Sequence, residues 1–61
     1  MDISNDNLKA IEEIYRALSS ISNKLDYGLI EEVEEYVPNS FRNLRTDAEY
    51  WKNICEKLIY G

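Results

Sequence analysis

The sequence predicts an all-α protein, a small three-segment helical bundle of two long antiparallel helices plus one short helix. Three observations predict this fold. Apolar residues recur at alternating gaps of three and four in three stretches, which places them on one side of an α-helix. Asp26-Tyr27-Gly28 and Pro38-Asn39-Ser40 interrupt that pattern with residues typical of helix ends and turns. A chain of 61 residues is short enough to form one domain, residues 1–61.

The first long helix is predicted over residues 6–26. Ser4, Asn5 and Asp6 are each suited to cap its first turn, and the sequence does not choose among them. The apolar side chains of this segment fall within about 140° of arc around the helix. They are Leu8, Ile11, Ile14, Tyr15, Leu18, Ile21 and Leu25.

A break is predicted after this helix. Gly28 suits the left-handed residue that ends a helix, and Asp26 equally suits the cap of the following one. A bend within one continuous helix is the alternative, because glycine inside a helix costs only about 1 kcal/mol. The short helix is predicted over residues 29–37. Pro38 ends it, because proline disfavours helical geometry in the residue before it.

The second long helix is predicted over residues 40–60, with Asn39 or Ser40 as its cap. Its apolar stripe holds the single Trp, Phe and Cys of the chain. The stripe consists of Phe41, Leu44, Ala48, Trp51, Ile54, Cys55, Leu58 and Ile59. Thr46 and Glu49 match a capping box, which would begin a separate helix after Thr46. The stripe keeps its phase across that point, so one continuous helix is favoured.

The small size of the chain predicts that oligomerisation completes the core. A domain this short buries only about 60% of its unfolded surface, and such domains often need disulfides, a metal or a partner. Cys55 is the only cysteine, so it forms no disulfide within one chain, and its place on the stripe predicts a buried hydrophobe. We therefore expect a homodimer or a higher oligomer.

Charge and composition narrow the function by exclusion. The net charge of −5, from 12 acidic and 7 basic residues, argues against direct nucleic-acid binding and against adhesion to anionic membranes. The absence of histidine and the small size argue against an enzyme, and no cofactor or metal site is predicted. The N-terminus does not resemble a signal peptide, no apolar run is long enough to span a membrane, and the cysteine is single. We therefore expect a cytoplasmic location.

Acidic residues form the most unusual local feature. Residues 29–39 carry four glutamates and no basic residue, and the simplest interpretation is a solvated helix face. The alternatives are a surface that mimics nucleic-acid phosphates, a contact for a basic partner, or a weak carboxylate metal site. Four basic residues of the last helix could meet these glutamates, in the same chain or in a second copy. They are Arg42, Arg45, Lys52 and Lys57.

The aromatic residues divide into two groups. Tyr15, Tyr36, Phe41 and Trp51 lie on the apolar arcs and are expected in the core. The remaining tyrosines lie off those arcs, where tyrosine is favoured in binding hot spots. Together with the glutamates, they give the predicted protein-interface residues: Tyr27, Glu31, Glu32, Glu34, Glu35, Tyr50 and Tyr60.

These features predict a small acidic protein that binds or regulates another protein, as an inhibitor or adaptor, through helix-mediated contact. The partner is not identified by any motif. The alternative is an acidic nucleic-acid mimic that blocks a DNA- or RNA-handling enzyme, and a third possibility is a purely structural oligomerisation module.

Overall fold

The computed structural model describes residues 3–61, and within that range the fold is all-α with three helices. The helices are α1 (Asn5–Lys24), α2 (Tyr27–Glu34) and α3 (Ser40–Tyr60). The molecule is a rod with principal extents of 44 × 15 × 15 Å. The predicted fold class and the order of long, short and long helices are confirmed.

The start of α1 is fixed by a side-chain cap. The Ser4 hydroxyl accepts a hydrogen bond of 3.3 Å from the Asn7 amide, which satisfies one of the free N–H groups of the first turn. Of the three residues predicted as possible caps, Ser4 is the one that caps α1. At the other end Leu25 leaves helical geometry while its amide still donates to the Ile21 carbonyl at 3.1 Å.

The break between α1 and α2 lies at Leu25 and Asp26, so the prediction that Gly28 ends the first helix is wrong. Asp26 is extended, with φ −82° and ψ 169°, and its Oδ1 accepts a 2.8 Å hydrogen bond from the Leu29 amide. An aspartate cap therefore starts α2 at Tyr27, and Gly28 becomes an ordinary residue of its first turn. The predicted alternative, in which Asp26 caps the second helix, is confirmed.

Helix α2 ends at Glu34, three residues before the predicted end at Val37. The Val33 carbonyl accepts from two amides, those of Tyr36 at 2.9 Å and Val37 at 3.0 Å, so the last residues form a tight turn. Pro38 has no amide to continue the helix and restricts the backbone of the residue before it.

Asn39 occupies the N-cap position of α3 in an unexpected conformation. Its φ of 64° and ψ of 0° are left-handed, a region that asparagine tolerates better than most residues. In the described chain its side chain makes no capping hydrogen bond. The turn is held instead by the Ser40 hydroxyl, which donates to the Val37 carbonyl at 2.8 Å.

Helix α3 runs without interruption through the capping-box sequence, as the phase of the apolar stripe predicted. The Thr46 hydroxyl turns back to donate to the Arg42 carbonyl at 3.2 Å, so it is not free to cap a new helix. Glu49 lies 3.7 Å from Arg45, one turn earlier, instead of returning to Thr46.

The two long helices pack side by side and antiparallel. Ile3, just before α1, lines the same surface cavity as Leu58 and Gly61 at the end of α3. Helix α2 packs against α3, and within residues 3–61 none of its Cα atoms lies within 8 Å of a Cα atom of α1. The buried side chains of this range cluster near the break and along α3. They are Leu25, Ile30, Ala48 and Cys55.

The burial of Cys55 agrees with its predicted role as a small hydrophobe, but two aromatic residues are not in the core. Tyr36 is 80% exposed and Trp51 is 53% exposed, against the prediction that both are buried. Tyr36 follows the last turn of α2 and has no helix opposite it. Trp51 lies on a side of α3 that neither α1 nor α2 covers. Tyr15 and Phe41 are half-buried.

Replacing Asp26 with alanine tests the cap of α2. We expect Asp26→Ala to lower the free energy of unfolding by about 0.5–2 kcal/mol, because the Leu29 amide loses its acceptor. Urea denaturation measures the change. The matched control is Asp26→Asn, which retains an acceptor oxygen and is expected to stay close to the wild type. Equal losses in both variants would contradict this role of Asp26.

Ser22 offers a second test, because its buried hydroxyl has no hydrogen-bond partner among the described residues. Leaving a buried polar group unpaired costs about 1–3 kcal/mol. We expect Ser22→Ala to stabilise the protein by more than Ser20→Ala does. Ser20 is exposed on the same helix, so that control measures the gain in helix propensity alone. Equal gains in thermal or urea denaturation would show that the Ser22 hydroxyl is satisfied in solution.

Candidate protein-binding face

One side of the helix pair carries large apolar side chains in contact with solvent. Ile14 and Ile21 of α1 are 50% and 39% exposed, and Leu44 and Trp51 of α3 are 41% and 53% exposed. We call these four residues the open face. Each pair is separated by seven residues, which is two turns of helix, so each forms a line along its helix.

The two lines lie on the same side of the molecule. At about 100° per residue, Ile14 and Ile21 lie about 100° and 120° from Tyr15, which is the middle of the half-buried residues of α1. On α3, Leu44 and Trp51 lie about 30° and 50° from the middle of the buried residues. The rotation has the same sense on α1 and on α3. Because the two helices run antiparallel, equal senses of rotation bring both lines to one side. The open face is therefore a continuous surface two helices wide.

Tyr50 extends the open face at its edge. Its ring lies 5.3 Å from the Trp51 ring at an interplanar angle of 82°, an edge-to-face pair. Tyr50 is itself exposed. The contact restricts the indole of Trp51 while it remains in solvent, so the aromatic pair offers a large and partly preorganised contact area.

A surface cavity of about 630 Å³ continues the open face at the end where α1 begins and α3 ends. Ile3, Ile54 and Leu58 form its apolar lining, and Lys57 and Gly61 complete it. Ile54 and Leu58 follow Trp51 at gaps of three and four, so they continue the same line along α3.

The opposite side of α3 is covered by α2 and held by charged contacts. Arg42 Nε donates to Glu34 Oε2 at 3.2 Å, and Arg42 Nη2 donates to Glu34 Oε1 at 3.3 Å. This hydrogen-bonded pairing, assisted by the carboxylate charge, raises the pKa of Arg42 above its ordinary value. The Arg45 guanidinium lies over the Tyr27 ring, 4.7 Å from its centroid. Of the four basic residues named from the sequence, Arg42 thus meets a glutamate of the acidic segment within one chain, whereas Arg45 contacts Tyr27 and Glu49 instead.

The predicted interface residues do not form one surface. The Tyr27 ring lies beside α3, under the Arg45 guanidinium. Tyr27, Ile30 and Arg45 line a shallow cavity of about 280 Å³. Glu34 is largely covered by its pairing with Arg42. The other three glutamates of this acidic segment are exposed: Glu31 and Glu32 in α2, and Glu35 directly after it. Tyr50 lies at the edge of the open face, and Tyr60 is exposed in the last turn of α3.

The sequence pattern alone does not predict the open face, because its four residues lie on the apolar arcs from which the core is predicted. The sequence feature that indicates uncovered apolar surface is the width of the apolar arc, about 140° on α1. One neighbouring helix covers only part of an arc that wide. Ile14 and Ile21 lie at one edge of the arc, and that edge remains exposed.

Within residues 3–61, no three acidic or cysteine side chains come together as a group able to hold a metal ion. In the same range, no helix has the length and apolar character needed to cross a membrane.

Comparisons with models of protein families, with curated proteins and with solved structures find no match to this chain. The functional argument therefore depends on the geometry of the chain itself.

Proposed function

We propose that this chain is a small regulatory protein, an inhibitor or adaptor, that acts by helix-mediated contact with other protein molecules. The open face is the contact surface. The observation that carries this proposal is the alignment of Ile14, Ile21, Leu44 and Trp51 on one side of the rod, all of them exposed. Contiguous exposed apolar surface of this kind marks interaction sites in soluble proteins.

The chemistry of the open face suits a protein partner. Tryptophan is among the residues most enriched in binding hot spots, and here it is flanked by aliphatic side chains and paired with Tyr50. A helix is the natural occupant, because lines of side chains seven residues apart pack against another helix. A cytoplasmic setting belongs to the same proposal, since Cys55 is a free, buried thiol.

Nucleic-acid mimicry by α2 receives less support. A mimic presents its carboxylates to a basic cleft on the enzyme it blocks. Here Glu34 is bonded to Arg42 within the chain, and Glu31 also lies within the field of that guanidinium. The acidic face is therefore partly neutralised by α3 before any partner arrives.

A capture experiment with matched variants tests the proposal. Tagged wild-type chain and the double variant Leu44→Ser, Trp51→Ser are each used to capture proteins from a lysate of the producing organism. Loss of an aromatic hot spot typically costs about 2 kcal/mol or more, so we expect the double variant to lose binding by at least about 30-fold. Quantitative mass spectrometry of the captured proteins, the untagged chain included, measures the loss.

Two control variants make the result specific. Tyr60→Ser removes an aromatic residue that is more exposed than Trp51 and is not part of the open face. The triple variant Glu31→Gln, Glu32→Gln, Glu35→Gln removes the exposed charge of α2 and keeps Glu34 on Arg42. Both controls should capture the same proteins as the wild type. Capture lost in the triple variant but kept in the open-face variant would support mimicry instead.

A further inference from the structure

We propose that the protein covering the open face is a second copy of this chain, so that two helix pairs join face to face as a dimer with four long helices. The inference deepens the proposed function, on which it rests, by naming the partner. It is drawn from the surface area of the rod, the shape of the open face and the distribution of charge.

The surface area of the chain exceeds what a folded monomer of its size exposes. The accessible surface is 4919 Å² for a mass of 7.2 kDa. The scaling for folded monomers gives about 4,100 Å² at that mass, so the excess is about 800 Å². A standard protein–protein interface buries about 800 Å² on each partner. The rod therefore has as much surplus surface as one side of a stable dimer requires.

The width and length of the open face suit the same face of a second copy. It is two helices wide, and α1 and α3, with 20 and 21 residues, are almost equal in length. A single foreign helix would cover the groove between α1 and α3 but only part of the width. A twofold axis parallel to the rod places α1 of one copy over α3 of the other, with those two helices antiparallel. Every neighbouring pair in the resulting four-helix bundle is then antiparallel.

The distribution of charge allows the open faces of two copies to meet, although each chain has a net charge of −5. Helix α2, bonded to α3 through Glu34 and Arg42, packs on the side of α3 opposite the open face, so the two copies of α2 lie on the outer sides of the dimer. Along the open side of α3, helical spacing places one charged residue, Asp47, between Leu44 and Trp51. Its exposed carboxylate opposes burial against a second copy, because the charge would lose its hydration there.

Sedimentation of the purified full chain tests the inference directly. We expect a mass twice 7.2 kDa to replace the monomer as concentration rises from about 1 µM to about 1 mM, the range of moderate affinities. Leu44→Ser with Trp51→Ser should raise the dissociation constant by at least about 30-fold, as for loss of one aromatic hot spot. Asp47→Ala should lower it, because a charge no longer has to be desolvated. Tyr60→Ser is the control expected to leave it unchanged.

The outcomes separate this inference from the proposed function. A helical monomer at every concentration overturns the inference, and if the open-face variant still loses capture from lysate, the proposed function stands with a different protein as partner. A dimer that the open-face variant leaves intact also overturns the inference. If the double serine variant fails to fold, the Asp47→Ala variant provides the test. A lower dissociation constant of the dimer supports the inference, and an unchanged one overturns it.

Discussion

The packing of α1 and α2 against different sides of α3 is the constraint on which the rest of the structure depends. Ala48 and Cys55, two turns apart on α3, are both buried. Within α1 no side chain is fully buried, and α2 buries only Ile30. The short helix has eight residues, too few to be stable alone, so it exists because α3 supports it. With two sides of α3 occupied, the side that carries Leu44 and Trp51 remains open.

The sequence predicts the helices well because their determinants are local. The period of the apolar residues indicates each helix, and the unbroken phase across Thr46 correctly predicts that α3 is continuous. The predicted end of the first helix, at residue 26, lies two residues after the observed end at Lys24. The difference arises because Asp26 and Gly28 are both residue types typical of helix boundaries. The side-chain bond of Asp26 decides the boundary, and a pattern of residue types does not show which of two competing bonds forms.

The open face was not predictable from the same patterns, because exposure depends on how helices are arranged in space. Trp51 and Cys55 lie on one predicted stripe, yet one is exposed and the other buried. Periodicity identifies an apolar side of a helix but does not say how much of that side a neighbour covers. By contrast, charge alone indicates that basic residues of α3 can meet the acidic segment, but it does not single out the pair of Arg42 and Glu34 that the structure shows.

Residue-by-residue hydrogen exchange of the native protein tests the central role of α3 most directly. The amides around Ala48 and Cys55 should exchange most slowly, through global unfolding, because α3 is packed on two sides. The amides of α2 should exchange faster, through local opening that leaves α1 and α3 paired. Exchange of α2 at the same free energy as Cys55, or faster exchange of α3 than of α2, would contradict the dependence of the fold on α3.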